Sequence, residues 1–411
     1  MVVLNKKVGV LVGLMATAAT ALALASSANA DTAARNGDVV VVGSDTAQNA
    51  VNFVLDGAPG IAGGYNNQNN LNRALSWDAT GDANGRLPYD GTCGTINTGT
   101  TGLGTFCDAT TNQQPNSQPQ SVILRVGTKP VTRPNGSGAG ASALIADASG
   151  GTGYQGLATG SLQMARMSRL PNGTEEGNCP TSGACGGLHV YQIATDNLAI
   201  ATRSAAFGGT NAPAALTASQ LVDIYQCTST KWTDVGGASG NTIHPLLPQS
   251  GSGTRNFFLA DLQAANGGTA ITLGSCVRTV QEHDPTGIWV DPSPADAMEP
   301  FSTGKIALIN SGYFANAGYT NSAGKNAYAS GFLTTLSGAN AYNSSRGMYV
   351  AIRNADLNST TIFQPGGTQN WAKTLIAGTT SYFARSAQGP QIVAAGFTQS
   401  YKDCGVNPTT C

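Results

Sequence analysis

The chain has 411 residues, 53 of them Gly and 8 Cys, with 10% charged residues, 41% hydrophobic residues and a formal charge of −1. Disorder requires low apolar content and high net charge, so this composition excludes it. The balance of 21 Lys+Arg against 22 Asp+Glu excludes the basic excess of a nucleic-acid binder. Glycine is in excess, close to 13% against a usual value of about 7%. The length fits two ordinary domains or one very large one.

Residues 1–30 read as an export signal. Lys6 and Lys7 form the basic flank, 8–25 the apolar stretch, and Ala28-Asn29-Ala30 the small-x-small cleavage site. An uncleaved anchor is the competing reading, since the stretch approaches the roughly 20 residues that span a bilayer. The cleavage site favours secretion, with cleavage after Ala30, into an extracellular or periplasmic space. Removing Lys6 and Lys7 takes the formal charge from −1 to −3. No Cys follows the cleavage site, so no lipid anchor is expected.

In an exported protein, eight cysteines read as disulfides first. Sequential pairing would join Cys93 to Cys107, Cys179 to Cys185, Cys227 to Cys276 and Cys404 to Cys411, out of about 105 possible pairings. Loop entropy assigns about 3 kcal/mol to the first of these and about 4 to the third. A metal site is disfavoured, because none of these pairs has C-x-x-C spacing and His189, His244 and His283 are scattered.

Short apolar runs at 38–42, 121–126, 189–193, 305–309 and 347–352 predict strands covered on both faces, as in a parallel sheet. Between them, 46–55 and 216–225 predict helices, the second opened by the capping-box pattern Thr217-Ala-Ser-Gln220. The class is therefore α/β. Residues 81–120 form a Gly/Thr/Asn-rich surface insertion around the first cysteine pair.

No H-E-x-x-H, G-x-S-x-G or Walker loop is present. Gly151-Thr-Gly-Tyr-Gln-Gly156 matches G-x-G-x-x-G, but no apolar strand precedes it, so it reads as a loop. Three small, hydroxyl-bearing turns do fall where helices should start. They are Gly43-Ser-Asp-Thr46, Asn135-Gly-Ser-Gly-Ala-Gly140 and Gln249-Ser-Gly-Ser-Gly-Thr-Arg255. Free N–H groups and the positive dipole end at a helix N-terminus attract an anion, and Arg255 can add a charge-assisted fork. Any one such turn is explained equally by ordinary N-capping. Three of them, one carrying Arg, point to an oxyanion site.

At these residues the chain resembles the phosphate-binding proteins of ABC transporters. Gly251-Ser-Gly-Thr-Arg255 resembles that family's SGT(R) loop, Gly136-Ser-Gly-Ala-Gly140 its second ligand loop, and Ala165-Arg-Met-Ser-Arg169 its third. The stretch 216–225 followed by Lys231-Trp-Thr-Asp-Val235 is similar to its "LTxxQLxxIY…WxDVGG" segment. The resemblance implies a type II periplasmic-binding-protein fold, with two α/β lobes joined by two crossing strands near 190–194 and 305–309. Lobe 1 would hold 31–193 plus 306–411, and lobe 2 would hold 194–305. By position, Asp45, Thr46 and Ala47 match the first ligand loop, Ser137 and Gly138 the second, and Ser168 and Arg169 the third. Ser250, Gly251, Ser252, Gly253, Thr254 and Arg255 match the fourth.

Departures from the family pattern bear on selectivity. Arg169 stands where the classical receptor has Asp, and Pro248 and Ser250 stand where it has Arg and Asp. That Asp accepts a hydrogen bond from a protonated phosphate, so its loss relaxes discrimination against anions without a proton. Arg255 is the expected substitute charge. Glu282-His283-Asp284 reads as a solvated turn ending at Pro285, with Asp284 as a substitute acceptor in the alternative reading.

The resemblance implies a monomeric solute-binding protein without cofactor or chemistry. Its partners would be phosphate or a related oxyanion and an ABC permease, with no nucleic acid. The alternative is a non-transport extracellular module for a phosphorylated metabolite, polymer or cell-surface component. A hydrolase is disfavoured because no nucleophile-base pair is present.

Overall fold

A computed structural model describes residues 34–35, 37–61, 63–67, 72–79, 121–148, 153–316, 327–359 and 371–411. All belong to one compact unit, Ala33–Cys411. The export signal, the insertion at 81–120 and the Cys93 and Cys107 pair lie outside the described residues.

Strand β1 (Val39–Gly43) is buried throughout and leads directly into α1 (Asp45–Asp56). β1 pairs parallel with β2 (Ala74–Ser76) on one side and with β5 (Met164–Met167) on the other, with Val41 opposite both Ser76 and Met164. A two-stranded ribbon of β3 (Ser121–Val122) and β4 (Val131–Thr132) precedes α2 (Ser137–Ala148). Only the first two residues of the run at 121–126 are therefore strand. α3 (Gly173–Asn178) follows β5, with Asn172 and Glu175 forming a capping box.

β6 (Leu188–Arg203) is 16 residues long and organises the sheet. Its first half lies between β11 (Asn343–Arg353) and β12 (Thr398–Val406), and its second half between β9 (Ala297–Ser302) and β10 (Leu333–Thr335). β7 (His244–Pro248) runs parallel to β9 and to β8 (Arg278–Val280). The path through the sheet is β2-β1-β5-β11-β6-β9-β7-β8. α4 (Ala218–Tyr225) and α5 (Gly253–Ala265) pack beside β7 and β9 around Leu221, Tyr225, Trp232 and Phe258. The predicted box is present: Thr217 Oγ1 accepts from Gln220 N, and Gln220 Oε1 accepts from Thr217 N.

Two expectations are corrected. The sheet is mixed, because β6 and β11 are antiparallel to each other and β11 is antiparallel to β5. An apolar run reports burial on both faces, which antiparallel central strands also have. Residues 305–309 fold not as a strand but within the helix Thr303–Asn310, capped by Ser302, whose Oγ accepts from Lys305 N at 3.1 Å. α6 (Thr286–Trp289) is the short helix before β9, so this longer one is α7. A five-residue apolar run does not separate strand from buried helix, and here the cap decides. Its strand neighbour β9 is masked in sequence by Pro300, which sits opposite Ile200 of β6.

Cys179–Cys185, Cys227–Cys276 and Cys404–Cys411 are disulfides, with Cα atoms 5.3, 6.0 and 5.1 Å apart. Each is a sequential pair.

Candidate functional site

Each predicted turn is built as a helix start. β1 ends at Gly43, whose φ of +112° and 2.6 Å approach of a built Cβ to Arg166 O admit only glycine. Ser44 then caps α1, accepting from Ala47 N at 3.4 Å. Arg166 of β5 is wholly buried and secures this corner through Gly43 O, Ser44 O, Trp77 O and Ser76 Oγ. Burial pulls its guanidinium down to about 10, so it stays charged at neutral pH.

α2 and α5 meet directly. Gly138 N donates to Gly251 O at 3.0 Å. Ser137 Oγ accepts from Ser168 N at 2.9 Å and lies 3.2 Å from Ser168 Oγ. A Cβ built on Gly253 would stand 2.1 Å from Ser137 Oγ and 2.3 Å from Ser168 Oγ, so both hydroxyls rest on the first turn of α5. Ser252 caps that helix, accepting from Arg255 N at 3.0 Å.

The first loop closes onto the fourth. Thr46 Oγ1 lies 3.1 Å from Thr254 Oγ1 across 208 residues of sequence, and both side chains are fully buried. His283 Nε2 is 2.9 Å from the first hydroxyl and 3.1 Å from the second. Ser302 N points at His283 Nδ1 at 3.4 Å, which assigns the ring proton to Nε2.

Glu282 sits at the centre. Its Oε1 accepts from Ser252 Oγ at 2.8 Å, Thr254 N at 3.1 Å and Thr46 Oγ1 at 3.2 Å. Its own N donates to Gln249 Oε1 at 2.7 Å, and the neighbouring Gln281 Oε1 accepts from Asn135 at 2.9 Å. Residues 282–284 are at most 2% exposed. The solvated-turn reading is therefore overturned: three polar residues next to Pro look exposed in sequence, but here they are buried against partners distant in the chain. Asp284 Oδ1 accepts from Tyr328 OH and Thr286 N, each at 3.0 Å.

The cation that reaches the centre is Arg346 of β11, a residue the sequence reading missed. Its Nη1 donates to Thr254 Oγ1 at 2.8 Å, while Nε and Nη2 hold Asp196 Oδ2 at 3.1 and 2.9 Å. Asp196 Oδ1 accepts from Ser302 Oγ and Gly304 N. Arg255 instead donates to Pro248 O at 2.9 Å. Arg169 forks onto Glu175 at 2.7 and 2.8 Å. Asp45 faces Lys305 Nζ at 3.6 Å, and that ammonium also donates to Asn49 at 2.7 Å.

The structure thus brings Thr46, Ser137, Ser168, Ser252, Gly253 and Thr254 together in the interior. Gly138, Arg169, Ser250 and Gly251 line a surface pocket of about 810 Å³ beside them, with Asn172 and Asn256. A smaller pocket of about 390 Å³ is lined by Arg346, Arg169, Phe257 and Tyr349 among others. One further acid lies within electrostatic reach. Glu299 is fully buried, and burial, then Asp284 and Glu282, hold its carboxyl well above the ordinary range.

The PBP superfamily domain matches residues 97–384, more than half of the chain. The chain belongs to the PBP superfamily. No curated protein matches its sequence. Among solved structures, it is similar to an ABC-type phosphate transport receptor from Vibrio cholerae, at 14% identity and a TM-score of 0.44, over 88% of this chain and 100% of that one. It is also similar to PstS from Borrelia burgdorferi, at 13% identity and a TM-score of 0.37, over 88% and 98%. A phosphate-binding protein from Stenotrophomonas maltophilia aligns at 13% identity and a TM-score of 0.35, over 64% and 82%. PBP superfamily members are binding proteins. Among the described residues no helix is long and apolar enough to cross a membrane.

Proposed function

We propose that this chain is an exported solute-binding protein that captures phosphate or a related oxyanion where the N-termini of α1, α2 and α5 converge. The observation that carries this reading is the 3.1 Å approach of Thr46 to Thr254, which closes the first helix start onto the fourth-loop helix. Hydroxyls from Thr46, Ser137, Ser168 and Ser252, the Thr254 N–H and the Arg346 guanidinium together make a compact donor set. Such a set suits a small anion and needs no basic surface. We place the lobes on either side of β6, with β11 as the second crossing in place of 305–309. Export after Ala30, delivery to an ABC permease and a monomeric state belong to the same reading, and no catalytic step does.

The pocket of about 390 Å³ that shares Arg346 with the site favours a second reading, a phosphorylated metabolite whose organic part lies against Phe257 and Tyr349. Calorimetric titration with inorganic phosphate, sulfate and a panel of phosphomonoesters tests both. Saturable binding of phosphate supports capture of the free anion. Binding of esters alone transfers the assignment to the second reading, and no binding of any oxyanion overturns both.

A further inference from the structure

The donors at the start of α5 are already engaged by an anion that belongs to the chain. Ser252 Oγ, Thr254 N and Thr46 Oγ1 all converge on Glu282 Oε1. This is the arrangement a phosphate oxygen would require, and a carboxylate there is favoured by the helix dipole for the same reason. Glu282 is fully buried, and its second oxygen, Oε2, has no hydrogen-bond partner. Both oxygens of the buried Glu299 are also unpartnered. The interior is therefore short of donors, not of acceptors. An anion that arrived while Glu282 stayed in place would find its donors spent and a like charge beside it.

The surrounding charges do not relieve that conflict. Arg346 is shared between Thr254 and Asp196, and Lys305 is held by Asn49 and Asp45. His283 Nε2 bridges the two threonines. Asp284 lies in the same loop and adds negative charge.

We propose that Glu282 is the affinity-determining residue of the site, a resident anion whose carboxylate an incoming oxyanion must displace from the start of α5. The inference rests on the oxyanion reading above. Displacement returns three donors to the ligand at once, so binding is an exchange of one anion for another. It also favours a tetrahedral oxyanion over a carboxylate ligand, because the former has more oxygens left over for Ser137 and Ser168.

Titration of wild type, Glu282→Ala and Glu282→Gln with inorganic phosphate by calorimetry tests this. Both variants should bind more tightly, the alanine variant by about tenfold or more, since a buried like charge and a competitor are removed together. Glu282→Gln preserves shape and serves if the alanine variant does not fold. Phosphate binding by the variants but not by wild type also supports the proposal. Unchanged or weaker affinity in a folded variant overturns it and leaves the oxyanion reading intact. No binding by any of the three proteins overturns both.

Discussion

Arg346 on β11 stands directly opposite Asp196 on β6, and the guanidinium that closes this cross-strand pair still reaches Thr254 Oγ1 with its remaining nitrogen. The pair is 4% and 6% exposed. The sheet register therefore sets the position of the Arg346 guanidinium at the site.

Asp196→Asn leaves Arg346 charged and buried without its counter-ion. Removing one partner of such a pair costs about 3–5 kcal/mol. Urea denaturation of the variant should show a loss of that order, and a loss below about 1 kcal/mol would mean that solvent reaches the pair.

Gly253→Ala places a methyl group against the Ser137 and Ser168 hydroxyls, at 2.1 and 2.3 Å. Those hydroxyls are held by backbone that must move, so the melting temperature should fall and phosphate affinity should drop by about tenfold or more. Gly173→Ala is the control, because a Cβ at that helix start meets nothing within 4 Å. It should leave both quantities unchanged.

Glu299 gives the protein a pH-dependent stability. Its folded pKa is raised above the unfolded value, so the folded state binds more protons than the unfolded state between the two values. The penalty is absent below about pH 4.5 and grows as pH rises from there toward the folded pKa. Glu299→Gln should raise the melting temperature at pH 7 to 8 and leave it nearly unchanged at pH 4. Equal shifts at both pH values would assign the effect to packing.

The Cys227–Cys276 disulfide closes a separation of 49 residues that contains β7 and α5 and ends just before β8. Loop entropy assigns it about 4 kcal/mol through the unfolded chain. The double serine variant should lose stability of that order in equilibrium unfolding. The Cys404–Cys411 pair spans only 7 residues, and its removal should cost less.

The parts of the fold that were legible in the sequence are those whose signals are local. The four valines of β1, the Ser44 cap and the Thr217 to Gln220 box each lie within a few residues and emerge in place. The helix Thr303–Asn310 was misread because a five-residue apolar run does not separate a strand from a buried helix, and the Ser302 cap that decides it is itself the last residue of β9. Glu282 was misread for a different reason. Its partners lie 28, 30 and 236 residues away, and nothing in a Glu-His-Asp-Pro string records them. Arg346 had no local signal either, because its pairing spans 150 residues and is fixed only once β6 and β11 align.

The carboxylate of Glu282 bears on the stability of the ligand-free protein. A receptor that needed its ligand to cap α5 would be more stable where that ligand is abundant, by about 2.7 kcal/mol at a hundredfold excess over the dissociation constant. With the counter-ion carried in the chain, α5 is capped in starvation as in plenty. On the proposed reading, the ligand-free protein is therefore not left with an uncapped α5, and a bound ligand adds its stabilisation to a helix that is already capped.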